Sequence, residues 1–195
     1  MILGSNSLMA QDEQKKTISL IPFAGWGHEN DYGNTALSVG LALQKPISKH
    51  LFYEGCITGF TTDFLNNYNT PPNKWDGVDR DYYAVFITPA FGYKFGNEAS
   101  LFNTRIKAGP TLKYFNYKIP KNGLVKHFPD GREEAIASTF IYYEDAGFNI
   151  SAYVGVSFDA RVSKRVRTGI FIDTYSHEIE GEHFILGVHT SIRLK

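Results

Sequence analysis

From Thr17 onward the side chains alternate in character with period two, and helical spacing is nowhere sustained. Successive residues of a strand face opposite sides, so this pattern sorts the chain onto two faces. Leu37, Val39, Leu41 and Leu43 share one face, and Ser38, Gly40, Ala42 and Gln44 the other. Tyr83, Val85, Ile87, Pro89, Phe91, Tyr93 and Phe95 lie opposite Tyr82, Ala84, Phe86, Thr88, Ala90, Gly92 and Lys94. Phe148, Ile150, Ala152, Val154, Val156 and Phe158 lie opposite Asn149, Ser151, Tyr153, Gly155, Ser157 and Asp159. Weaker alternation marks Thr17–Gly27, Leu51–Thr62, Asn103–Tyr117, Val166–Tyr175 and Phe184–Arg193. The chain reads as all-β with about eight strands, most of them near the ~9–11 residues that a tilted strand needs to cross a bilayer.

The two faces differ in a way that period alone does not. In most of these strands the apolar face carries no Lys, Arg, Asp or Glu, as in Thr104, Ile106, Ala108, Pro110 and Leu112. A lipid-facing surface must be clean in this sense, because an Arg or Lys at the bilayer midplane costs roughly 2–4 kcal/mol. The opposite face mixes small and aromatic residues (Gly40, Ala42, Phe86, Gly92, Gly109, Tyr153, Gly155, Phe171, Gly187) with charges of both signs. Those charges are Glu54, Lys94, Arg105, Lys107, Lys113, Asp159, Arg167, Asp173 and Arg193. Such a mixture suits the filled interior of a narrow barrel, with Arg105 or Lys107 pairing Asp159 or Asp173 as structural plugs. Trp26, Tyr53, Tyr83, Tyr93, Phe95, Tyr114 and Phe184 stand where interfacial girdles are expected. Pro22, Pro89 and Pro110 fall within strands on the apolar face; each removes a ladder donor and is expected at a bulge or near a rim. A soluble barrel binding an apolar ligand inside would show the same alternation with the faces inverted, and periodicity leaves it open.

Composition narrows the function classes. The 195 residues fit one domain, and 20 Lys+Arg balance 20 Asp+Glu, which removes the basic footprint of a nucleic-acid-binding protein. Cys56 is the sole cysteine, so neither an internal disulfide nor a Cys-based zinc site can form. Residues 1–10 (MILGSNSLMA) read as the remnant of a secretory signal peptide with a small-residue cleavage site after Ala10, 11–16 as a polar tail, and 17–195 as the barrel domain.

The connections alternate in length. Lys45–His50, Gly96–Ser100 and Val162–Arg165 read as tight turns, whereas His28–Asn34, Leu65–Arg80, Lys118–Asp145 and Ser176–His183 are longer and polar. An up-and-down antiparallel transmembrane β-barrel puts every second connection on the same rim, so one rim has brief turns and the other extended loops. Ala135–Tyr143 is β-prone and reads as a structured excursion of the third long loop, or as an extra strand.

Val39-Gly-Leu-Ala-Leu-Gln-Lys-Pro-Ile-Ser-Lys, Ile87-Thr-Pro-Ala-Phe-Gly-Tyr-Lys-Phe, Ala108-Gly-Pro-Thr-Leu and Leu186-Gly-Val-His-Thr-Ser-Ile-Arg-Leu, in this order and spacing, resemble the small outer-membrane barrels of the OmpA and OmpX type. The likeness is greatest to the porin-family barrels of Bacteroidota. Such proteins commonly finish on an aromatic residue, and the sequence departs from this with Ile192-Arg193-Leu194-Lys195. The resemblance implies a monomer in outer-membrane lipid and lipopolysaccharide, a non-enzymatic structural or surface role, and loops open to surface proteins or host ligands.

One stretch offers an enzymatic alternative. Thr174-Tyr175-Ser176-His177 with Glu182 resembles lipid A deacylases, barrels that use a His and a Ser two residues apart with a nearby Glu. A nucleophile needs its base within hydrogen-bond reach, but Thr174 stands where that His should be, and adjacent residues of a strand face opposite ways. His177, Glu178, Glu180, Glu182 and His183 match no metal-ligand spacing, and Asp76-Gly77-Val78-Asp79-Arg80-Asp81 lacks the downstream Glu of a calcium loop. No catalytic, cofactor-binding or metal-binding residue is therefore assigned, and no cofactor is expected.

Overall fold

The computed structural model describes residues 17–29, 34–61, 81–96, 99–177 and 181–194. The expected signal remnant, the polar tail and the 65–80 connection lie outside the described residues. The strands are β1 (Ser19–Glu29), β2 (Asn34–Pro46), β3 (Leu51–Thr61), β4 (Asp81–Phe95), β5 (Phe102–Asn122), β6 (Val125–His127), β7 (Glu133–Ala135), β8 (Ile141–Arg161), β9 (Val166–His177) and β10 (Gly181–Arg193). Eight of them close into an antiparallel barrel in the order β1-β10-β9-β8-β5-β4-β3-β2, and β6 pairs only with β7.

The faces fall as the alternation predicts. Val39, Leu41, Leu43, Ile57, Ile87, Phe91, Ile150, Val154 and Val188 are exposed on the outside, while Ser38, Glu54, Phe86, Lys113, Tyr153 and Asp173 are buried within. An apolar cavity is thereby excluded as the barrel's interior. Outward aromatics gather at two levels: Trp26, Tyr83, Tyr114 and Phe184 on one, Tyr53, Tyr93 and Phe95 on the other. Tyr83 and Tyr93 are ten residues apart on β4. At about 3.4 Å per residue and a tilt near 40° they stand about 26 Å apart along the barrel axis, close to the ~25 Å apolar band of a membrane barrel.

The prolines meet the ladder in a way the sequence does not show. Between β4 and β5 the pairing runs to Ile87↔Leu112 and resumes at Phe91↔Ala108 in the same register, so Pro89 stands opposite Pro110 in one gap without a bulge. Two residues lacking N–H thus share one interruption, so fewer donors are orphaned than if each broke a separate seam. Pro22 occupies a similar gap between β1 and β10, nearer the rim. The strands stay in close contact at the proline pair: Thr88 and Thr111 hydroxyls hydrogen-bond at 2.5 Å on the lumen side. A β-carbon at Gly109 would collide with the Pro89 carbonyl oxygen, so this position admits no side chain.

Two of the four long connections are shorter than the sequence suggests. Glu29 still pairs with Asn34, and His177 with Gly181, leaving only 30–33 and 178–180 between strands. At their far ends these strands carry polar residues and lose the alternation, yet the ladder continues because its bonds are made by backbone. The third connection is largely strand as well. β5 and β8 pair to Asn122↔Ile141, beyond the last β4–β5 pair at Asp81↔Lys118. Ala135–Tyr143 forms no extra barrel strand: Ala135 ends the β6–β7 hairpin, Ala137–Thr139 is a 3₁₀ turn, and Ile141 begins β8.

Ile87→Arg on the outer face of β4 should cost roughly 2–4 kcal/mol in reversible unfolding from lipid vesicles. Gly109→Val should prevent folding in the same vesicles, seen as loss of the heat-dependent shift in gel migration.

Candidate functional site

The lumen is lined by buried side chains in two layers. Toward the long-loop rim, Phe60, Phe86, Tyr153, Phe171, Tyr175 and Ile185 form an apolar cluster with Ala36, Ala84 and Ala90. Phe86 stacks on Tyr175 with ring centroids 4.3 Å apart, and Phe60 meets Tyr82 edge-on at 5.9 Å. His183 is part of this layer and not of a loop tip, since β10 has already begun: it is buried, with Nε2 2.7 Å from the Tyr82 hydroxyl and its ring 5.2 Å from Phe60.

Below it, charges pair in a dense network. The Lys107 ammonium donates to Glu54 Oε1 at 2.8 Å and lies 3.8 Å from Asp173 Oδ1. The Tyr153 hydroxyl donates to the same Asp173 oxygen at 2.9 Å. A β-carbon at Gly155 would overlap both groups, so glycine leaves the room in which they meet. Nearer the short-turn rim, Arg105 donates to Asp159 Oδ2 at 2.6 Å and to Gln44 Oε1 at 3.2 Å, and its Nη2 lies 3.1 Å from His189 Nε2. Arg167 takes the other Asp159 oxygen and also donates to the Ser100 carbonyl at 3.2 Å. Gln44 joins the two groups, its amide 3.5 Å from Glu54. The expected pairings of Arg105 with Asp159 and of Lys107 with Asp173 are both formed, and Glu54 is a partner the pattern placed on the right face without assigning.

The Ser176 stretch is less complete. Ser176 is exposed and, like Thr174, belongs to the outer face of β9, and its backbone pairs with Glu182. Thr174 supplies no base, and the side chains of His177 and Glu182 lie outside the described residues, as do Glu178 and Glu180. Of the Asp76–Asp81 stretch only Asp81 is described, as the first residue of β4. Among the described residues no group of three His, Cys, Asp or Glu could hold a metal ion. Cys56 faces the lumen, buried, with its sulfur 3.4 Å from the Thr58 hydroxyl.

A closed antiparallel barrel with charges paired inside and an apolar band between aromatic girdles is a transmembrane β-barrel of the small outer-membrane type. Solved structures share the fold. The chain is similar to the N-terminal β-barrel domain of OprF from Pseudomonas aeruginosa (11% identity over 92% of this chain and 98% of that one, TM-score 0.54). It is similar also to neisserial surface protein A (11%, 91% and 96%, 0.54) and to Ail, the attachment invasion locus protein of Yersinia pestis (9%, 91% and 97%, 0.55). No protein-family model and no curated protein sequence matches the chain.

Asp159→Asn removes the carboxylate shared by two arginines and leaves buried positive charge uncompensated. Unfolding in urea from detergent micelles should show a loss of about 3–5 kcal/mol. Replacing Arg105, Arg167 and Asp159 together by apolar residues of similar volume should cost less than this single change.

Proposed function

We propose that the protein is a non-enzymatic outer-membrane barrel that holds a projection above the membrane for contact with other molecules at the cell surface. The observation that carries this reading is the β5–β8 extension. Four residues of β5 rise past the last pair with β4, roughly 14 Å at 3.4 Å per residue, and carry the β6–β7 hairpin and the 3₁₀ turn. The extension is braced from below. Phe115 stacks on Tyr117 at 5.9 Å and Tyr117 meets Tyr143 at 5.8 Å, so an aromatic column runs from the lumen core into the projection. Above it, Leu124, Ile136 and Ile141 are 61%, 43% and 63% exposed, drawn together by the Ile136 N–H bond to Leu124 O and by the pairing of Ile141 with Asn122.

The chemistry of the projection favours a protein surface as partner. Between Lys118 and Asp145 four Lys or Arg face five Asp or Glu. Some are already paired: Lys118 with Glu144 at 3.8 Å, Arg132 with Asp130 at 2.6 Å and His127 with Glu133 at 3.2 Å. Ail has been crystallised with the heparin analogue sucrose octasulfate. A charge-balanced, partly apolar projection offers little attraction for a sulfated polyanion, whereas exposed apolar groups suit a protein. The filled lumen supports a role that passes no solute.

Trypsin added to intact cells should cleave after Lys121, Lys126 or Arg132 and leave the barrel whole; cleavage only after permeabilisation would overturn the topology. Refolded protein should give no stable conductance in planar bilayers and leave lipid A unchanged in mass. A modified lipid A would establish the enzymatic alternative. Leu124→Ser with Ile141→Ser should change unfolding free energy by no more than about 0.5 kcal/mol per residue, as for surface positions. A loss of several kcal/mol would make the patch a folding element.

A further inference from the structure

The short-turn rim has a chemistry that the surface role does not use. Two of its turns are built alike: in Ile47-Ser48-Lys49-His50 and Val162-Ser163-Lys164-Arg165 the first two backbone N–H groups bond the carbonyl of the residue after the turn. In both, the Ser hydroxyl accepts an N–H from that same residue, at 3.1 Å. The first turn thus presents Lys49 and the second Lys164 and Arg165, and the barrel order sets the β2–β3 and β8–β9 turns on opposite sides of the mouth.

Between them lies a concavity of about 80 Å³ whose lining holds eight Lys or Arg and, among the described residues, the single carboxylate of Asp159. At roughly 15 Å³ of such volume per water, the space holds about five waters, enough for a compact hydrated anion. Asp159 cannot neutralise this charge, since each of its oxygens is occupied by an arginine. Lys49, Arg161, Lys164 and Arg165 have no carboxylate partner among the described residues. Arg105, 5% exposed at the floor, keeps its Nε–H without a partner. The chain as a whole has zero net charge, so these four cations are a local excess among the described residues.

We propose that the short-turn mouth of the barrel is an anion-binding site for phosphate groups. Guanidinium forks match the tetrahedral oxyanion bidentately, and lysines on the turns add flexible point charges. The phosphate can be carried by an anionic phospholipid of the surrounding leaflet or by a soluble phosphorylated compound that enters the mouth. This site lies on the rim opposite the β5–β8 projection and does not depend on what the projection contacts.

The test uses the full barrel, refolded in non-ionic detergent at low salt and titrated calorimetrically with inorganic pyrophosphate. Saturable binding is expected, weakened by added KCl, and weakened about tenfold or more in Arg161→Gln with Arg165→Gln, two exposed positions whose charge-assisted hydrogen bonds are lost. Lys121→Gln with Lys126→Gln makes the same charge change on the far rim and should leave binding unaltered. Native mass spectrometry then separates the sources. Retention of phosphatidylglycerol over phosphatidylcholine by the parent and not by the double arginine variant assigns the headgroup; pyrophosphate binding without such retention assigns a soluble ligand. Absence of pyrophosphate binding, equal weakening by both pairs of substitutions, or tighter binding of a poly-glutamate peptide than of pyrophosphate would overturn the proposal.

Discussion

The structure depends on closure of the backbone ladder. In lipid no water can satisfy an exposed N–H or C=O, so a sheet with free edges cannot span, and the pairing of β1 with β10 is what makes the other strands admissible there. Closure also fixes the two solvents of the barrel. Once β1 meets β10, every strand has one face toward lipid and one toward a narrow lumen, and each side chain answers to one of them. The prolines show how strict this is. Pro89 and Pro110 are tolerated in the middle of a seam because they face each other, in one gap that Gly109 keeps tight.

The lumen is the second consequence. Eight strands leave an interior that side chains can just fill. Here one layer is filled by aromatic rings and the next by ions whose carboxylates are shared: Asp159 serves two arginines, and Asp173 both Lys107 and Tyr153. Such sharing lets a few carboxylates serve several buried donors. The two layers separate two rims of different chemistry. One bears the β5–β8 projection with its apolar patch, the other a basic mouth.

Much of this was legible from residue order. The charge-free outer face, the inward charges and the girdle aromatics were all placed by period-two sorting, because a strand assigns faces without reference to its neighbours. The Lys107–Asp173 and Arg105–Asp159 pairs were legible as candidates, since few opposite charges share the lumen face. Loop lengths were misread for 28–34 and 176–183, and His183 with them. Polar residues at strand ends look like loop in sequence, but backbone bonds carry the ladder past the apolar band. The basic mouth was invisible for another reason. Its cations come from β2–β3, β4, β5, β8–β9 and β10, and nothing along the chain brings them together.

Residue order was enough to sort the side chains onto two faces and to show that one of them carries almost no charge, because both follow from the character of single side chains and a local two-residue repeat. Strand register, by contrast, is set only when the barrel closes. Register set Pro89 against Pro110, gave Asp159 to two arginines, carried β5 and β8 above their neighbours and gathered the cations of the short-turn rim. These are relations between residues far apart in the chain, fixed only when the ladder closes and each backbone donor finds one particular acceptor.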